Sequence, residues 1–185
     1  MELKFSWYIS NQMQDWIVSR KPDYPNLEEC IAWVEEKFWL MKSEPEAYSI
    51  DILKKDGVTL WDGIRNYQAR NFMRRMELGD KVFFYHSNCK PPGIVGFMEV
   101  IDLNIVDPTQ FQAESVYYDP KSSHEKPRWD CVKVKYLFKA NKYLSLPELK
   151  ILFNEEELLL VKKGNRLSII PIKKTIAKVI LEKIK

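Results

Sequence analysis

The sequence is poor in the side chains that most reactions and metal sites need. It has two histidines and three cysteines in 185 residues. Cys30, Cys89 and Cys131 are odd in number and far apart, which argues against both a disulfide framework and a zinc site. They suit a reducing compartment: the cytoplasm, or the nucleus if the source is eukaryotic. HExxH, GxSxG, CxxC and a phosphate-binding glycine loop are all missing, and with them the short signatures of metal-assisted hydrolysis, acyl transfer, dithiol chemistry and nucleotide binding. No apolar run approaches the roughly 20 residues that span a bilayer. The first residues, MELKFSWYIS, lack the basic start and long apolar stretch of a secretory signal. The expectation is a protein without metal, cofactor or membrane partner. The formal charge is only +3, too small to grip nucleic acid mainly by neutralising many phosphates. Any such role has to rest on a pocket with a local basic rim.

What is present is a globular composition, 45% hydrophobic and 30% charged, in a chain long enough to bury one proper core. The organising stretch is residues 60–76, LWDGIRNYQARNFMRRM. It brings an indole, a glycine turn, an arginine, amides and a tyrosine to the entrance of one helix. If that helix starts near Asn66, a good N-cap, then Ala69, Phe72, Met73 and Met76 share a face that can be buried, while Tyr67, Arg70 and Arg74 fall on another.

The flanking elements read in order. Asn26 can cap a helix through Lys37 with a buried stripe of Leu27, Cys30, Ile31 and Val34. Residues 38–42 form a short strand ended by Pro45. Ser49 caps a brief helix stopped at Gly57. Residues 81–86 are an apolar, aromatic-rich strand, and 94–101 a second strand in which Gly96 marks close backbone approach. A long irregular section covers 107–128, and 129–139 alternates as a strand with Val132, Val134, Tyr136 and Phe138 inward. Ser145-Leu-Pro-Glu148 is a capping box for a helix to Phe153. A further helix is expected from Asn154 to Gly164, a last strand over 167–172, and a terminal helix with the stripe Ile176, Val179, Ile180 and Ile184. Strands and helices mix without strict alternation, which points to an α+β fold: a small β-barrel or strongly bent sheet surrounded by short helices.

Several longer motifs occur in series: WLMKSEP at 39–45, WDGIRNYQARN at 61–71, GDKVFFYHSNC at 79–89, YYDPKSS at 117–123, PRW at 127–129 and NRLSIIPI at 165–172. In these the chain resembles the EVE domain. The resemblance implies a PUA-like fold over residues 38–185, with residues 1–37 as an extension outside it. It also implies a non-catalytic module that reads a modified base in an aromatic-lined pocket; a monomer is expected. The first candidate is DNA carrying cytosine modified at its 5-position, with RNA as the rival partner. Carried onto this chain, the pocket would be built from Trp39, Lys42, Ser43, Trp61, Gly63, Asn66, Tyr85, Ser87, Asn88 and Trp129, with Arg65, Arg70 and Arg166 as a basic rim. An unstacked base is held by planar side chains and by hydrogen bonds to its polar edge, and these residue types supply both.

Each candidate has a plainer reading. Tryptophans are usually core residues. Arg166 can pair with a buried acid, and Tyr117, Tyr118 and Asp119 can either close over a ligand or anchor the long loop. An enzyme is the weaker hypothesis. His86 and Ser87 are adjacent on a strand end and point to opposite faces, and Cys89 reaches His86 only if the loop curls back.

Overall fold

A computed structural model describes residues 37–185. The helix expected from Asn26 to Lys37 and the segment before it lie outside the described residues. In chain order the elements are β1 (Phe38–Ser43), α1 (Ile50–Asp56), β2 (Val58–Trp61), α2 (Tyr67–Met73), β3 (Lys81–His86), β4 (Gly93–Val106), β5 (Asp130–Ser145), α3 (Leu146–Leu152), β6 (Ile169–Ile172) and α4 (Lys174–Ile184). Short 3-10 turns cover Pro108–Phe111 and Leu159–Val161.

The six strands form one mixed sheet in the order β2-β5-β4-β3-β1-β6. β1 and β3 run parallel, and the other neighbours are antiparallel. The fold is α+β and the sheet is open, so of the two expected forms the bent sheet is the one adopted. Its bend has a local cause. The ribbon of β4 and β5 is long, and its register shifts four times, between Ile94/Gly96, Phe97/Met98, Val100/Asp102 and Asp102/Ile105. Each such irregularity adds twist and bends the strand.

Both faces of the sheet centre are covered. Along β1 and β3, Phe38, Leu40, Phe83 and Tyr85 join one apolar cluster with Ile176, Ile180 and Ile184 of α4 and Leu149 of α3. The alternate residues Trp39, Met41, Val82 and Phe84 join a second cluster with Ile50 and Leu53 of α1 and Ala69 and Met73 of α2. A strand buried on both sides has no polar face to show, hence the unbroken apolar runs of β1 and β3. Gly96 is required where the sheet meets α1. A Cβ there would lie 2.5 Å from Ile50 Cδ1 and 2.9 Å from the Phe138 carbonyl oxygen.

The helix expected from Asn154 to Gly164 does not form. The Asn154 side chain accepts from the amides of Glu156 and Glu157, closing a turn. Leu158, just before a single 3-10 turn, and Leu160 and Val161 within it are then drawn into the core. α2 also stops at Met73, although Met76 beyond it is still buried.

Candidate functional site

The carboxyl ends of the parallel pair β1 and β3 open into a hollow of about 1290 Å³. Loops that leave such strand ends in different directions leave a crevice between them. Lys42, Ser43, Glu44 and Tyr48 form one side, and Ser87 and Asn88 follow β3. The end of β2 and the turn after it supply Thr59 through Asn66. Asn165, Arg166 and Ser168 come from the segment before β6, and Tyr117 from the long loop.

The turn at 62–66 is fixed by one buried carboxylate. Asp107 accepts from Gly63 N at 2.9 Å, from Arg65 Nη1 at 2.7 Å, and from the amide and hydroxyl of Thr109 at 2.8 and 2.6 Å. Its side chain is fully enclosed. Arg65 then reaches the long loop, donating from Nε to the Tyr117 carbonyl at 2.5 Å and from Nη2 to Thr109 Oγ1 at 2.9 Å. Gly63 has φ +75°, and a Cβ on it would lie 2.7 Å from the Tyr117 ring. Glycine is therefore needed twice here, for the backbone conformation and for the ring that lies against it. Asn66 caps α2, its Oδ1 accepting from Ala69 N at 3.0 Å, and Nδ2 is left free of protein partners among the described residues.

The structure sorts the expected site residues into two groups. Lys42, Ser43, Trp61, Gly63, Arg65, Asn66, Ser87, Asn88 and Arg166 line the hollow, Trp61 from within the second cluster, where it is 6% exposed and packs edge-on against Phe84. Trp39, Tyr85, Trp129 and Arg70 do not. Trp39 points with Met41 into the second cluster, where its indole donates to Asp80 Oδ2 at 2.7 Å. Tyr85 lies in the first cluster, behind Lys42, whose ammonium sits 5.9 Å from its ring centre. Burial pushes the Tyr85 hydroxyl pKa well up and pulls that of Lys42 down.

Trp129 belongs to the anchor of the long loop. Its indole donates to Asp119 Oδ2 at 2.7 Å, and its ring stacks on Tyr67 at 4.8 Å. Arg70 lies over both rings and donates to the Arg128 carbonyl at 2.7 Å. Gln110, fully buried, accepts from Ser122 Oγ and from the amides of Arg128 and Trp129. Burial alone would raise the Asp119 pKa, but the bonds from Trp129 and Lys121 and the nearby guanidinium groups bring it below the usual carboxylate value. Asp119 is thus an anchor and Tyr117 a wall.

Arg65 lines the hollow, but its guanidinium is committed to the loop, which leaves Lys42 and Arg166 as the cations without a carboxylate partner there among the described residues. Arg166 is exposed; the alternative of a buried ion pair is not what the structure has. Among the lining residues not selected from the sequence are Tyr48 and Asp62. Asp62 sits inside the motif at 61–71, beside residues that were selected, and Tyr48 lies just beyond the motif at 39–45.

The possible catalytic pair is engaged elsewhere. His86 Nε2 accepts from Ile50 N at 3.2 Å, and Cys89 Sγ donates to the carbonyls of His86 and Pro91 at 3.7 and 3.4 Å.

An open bent sheet whose strand ends and loop enclose one hollow, carrying the series of motifs above, defines the class. Residues 37–183 match the EVE domain, and the chain belongs to that family, with its PUA-like fold. Among its relatives is thymocyte nuclear protein 1 of Homo sapiens, 46% identical over 123 residues that cover 60% of this chain and 55% of the relative. The chain thus spans about half the length of the curated relatives it matches. A solved protein from Pseudomonas putida superposes with a TM-score of 0.77 at 43% identity, covering 80% of this chain and 99% of that one. Human thymocyte nuclear protein 1, solved in complex with DNA containing 5-methylcytosine, superposes with a TM-score of 0.75 at 38% identity, covering 80% and 96%.

Proposed function

We propose that this chain is a non-catalytic reader of DNA that takes one unstacked base, 5-position-modified cytosine first among them, into the hollow at the ends of β1 and β3. The observation that carries this reading is the lining itself. Trp61, largely buried and edge-on to Phe84, and Tyr117 bring aromatic rings to the wall, while Asn66 Nδ2, Asp62 and Arg166 stand there with no protein partner among the described residues and Lys42 has only the Tyr85 ring beside it. Planar stacking and hydrogen bonds to the polar edge are the two means by which an extruded base is held. The resemblance to a human relative solved with 5-methylcytosine DNA supports the same reading.

The pocket contacts proposed are Trp61 and Tyr117 for stacking, Asn66, Ser43, Ser87 and Asn88 for polar contacts, and Lys42 and Arg166 for the phosphates beside the base. Arg65 holds the wall in place, and Trp39, Tyr85, Trp129 and Arg70 act behind it.

The test is a fluorescence titration with short duplexes that differ in one cytosine substituent at fixed salt, so that non-specific phosphate attraction cancels. The expected result is a preference of about tenfold for the 5-methylated duplex, the worth of one methyl group in an apolar site. Trp61→Phe should keep most of that preference and Trp61→Ala should lose it, with circular dichroism confirming the fold. Equal binding to all duplexes refutes the cytosine reading, and tighter binding to RNA of the same sequence transfers the site to RNA.

A further inference from the structure

A methyl group at the 5-position does not identify cytosine. Thymine carries the same methyl group on the same ring atom. The two bases differ on the polar edge: cytosine presents an exocyclic amine beside an acceptor nitrogen, and thymine a carbonyl oxygen beside an N–H. A hollow that senses only the methyl and the ring face takes both.

Asp62 is the lining residue suited to separate them. The other acids near the hollow are occupied. Asp107 is saturated by Gly63, Arg65 and Thr109, and Glu44 accepts from Asn88 Nδ2 at 3.1 Å. The nearest cation, Arg65, spends its donors on Asp107, Thr109 and the carbonyls of Ile64 and Tyr117. The Asp62 carboxyl is left with no hydrogen bond and no ion pair among the described residues, in the turn between the Trp61 indole and Gly63. Asp62 is an exposed residue on the lining of the hollow, so its carboxylate is free to take a donor from a ligand held there.

Resting on the base-binding reading above, we propose that Asp62 is a specificity-determining residue: it accepts a hydrogen bond from the exocyclic amine of the bound base and repels a carbonyl oxygen at that position. Acidic side chains pair with the cytosine amine in this way. Burial, and then the charge of Asp107, raise the Asp62 pKa against the opposing pull of Arg65, and it is the ionised form, an acceptor only, that turns a carbonyl oxygen away.

The experiment compares the full-length chain with Asp62→Asn on duplexes carrying 5-methylcytosine, cytosine or thymine at one position. Each base stands opposite an abasic site, so no base pair has to be broken. The unaltered chain should prefer 5-methylcytosine over thymine by about tenfold or more, since a site built to bond an N–H rejects an analogue lacking it. Asp62→Asn, whose amide can donate to a carbonyl, should bring the two within about threefold while keeping the preference for 5-methylcytosine over cytosine. Discrimination against thymine that survives in Asp62→Asn overturns the assignment of Asp62 and leaves the base reading standing. No preference for 5-methylcytosine over cytosine in the unaltered chain removes the base reading, and the assignment with it. A matched thermal transition for the two proteins makes any difference a binding effect, and Asp62→Ala, which removes donor and acceptor alike, should weaken 5-methylcytosine without strengthening thymine.

Discussion

At the residue scale, one carboxylate does more than any other side chain to shape the hollow. Asp107 holds the 62–66 turn through Gly63 and Arg65 and starts the long loop through Thr109. Asp107→Ala leaves the Arg65 guanidinium, 20% exposed, without its counter-charge. Breaking a buried pair from one side costs about 3–5 kcal/mol, and a urea unfolding curve should show a loss at the lower end of that range, because Arg65 is only partly enclosed. Gly63→Ala tests the same corner differently. Its left-handed conformation costs a side chain about 1–2 kcal/mol, and the new methyl group displaces the Tyr117 ring. The expected outcome is lower stability together with weaker DNA binding, whereas Gly57→Ala, whose Cβ would meet nothing within 4 Å, should lower stability alone.

At the scale of elements, local chemistry was readable and long-range pairing was not. Ser49, Asn66 and Ser145 each cap the helix that the sequence assigns to them, because a cap needs only three or four neighbouring residues. β4 runs on to Val106 and β5 to Ser145, beyond the expected ends, because their bulged pairing is set by distant partners. The site shows the same divide. The motifs include segments that border the hollow, but membership of a motif does not say which way a side chain points. Trp39 and Lys42 are three residues apart on one strand, so they face opposite sides of the sheet. Only Lys42 lines the hollow, and Trp39 goes into the core. Trp129 was drawn away by a partner ten residues earlier, Asp119, inside a loop with no periodicity to read. The cap of α2 offers a test in which structure and recognition separate. Asn66→Asp keeps the capping oxygen and removes the free amide donor, so stability should hold while base discrimination falls. Asn66→Ala should cost about 1 kcal/mol in thermal or denaturant unfolding as well.

On the scale of the whole molecule, acid should loosen the fold near neutrality through His86. Burial lowers its pKa from 6.5, with Asp51 and Lys139 opposing each other in smaller contributions. The unfolded chain therefore takes up a proton that the folded imidazole refuses, and stability falls as pH drops below about 6.5. Asp119 and Glu148, both held below ordinary carboxylate values, titrate further into acid, and Asp62, raised above its ordinary value, works against the histidine's trend. Melting temperatures between pH 5 and 8 should decline toward acid, and His86→Gln should flatten the decline. We also propose residues 38–185 as the unit that folds and binds; removing residues 1–37 should leave one cooperative transition and unchanged discrimination among the duplexes. Among the described residues, the open sheet ends in β2 on one side and β6 on the other, each four residues long. The second includes Pro171, which has no N–H to donate. Amyloid-like stacking needs exposed segments of about six or seven residues free of proline. Neither margin is long enough to template it, so leaving the barrel unclosed does not expose the chain to self-propagating assembly along its edges.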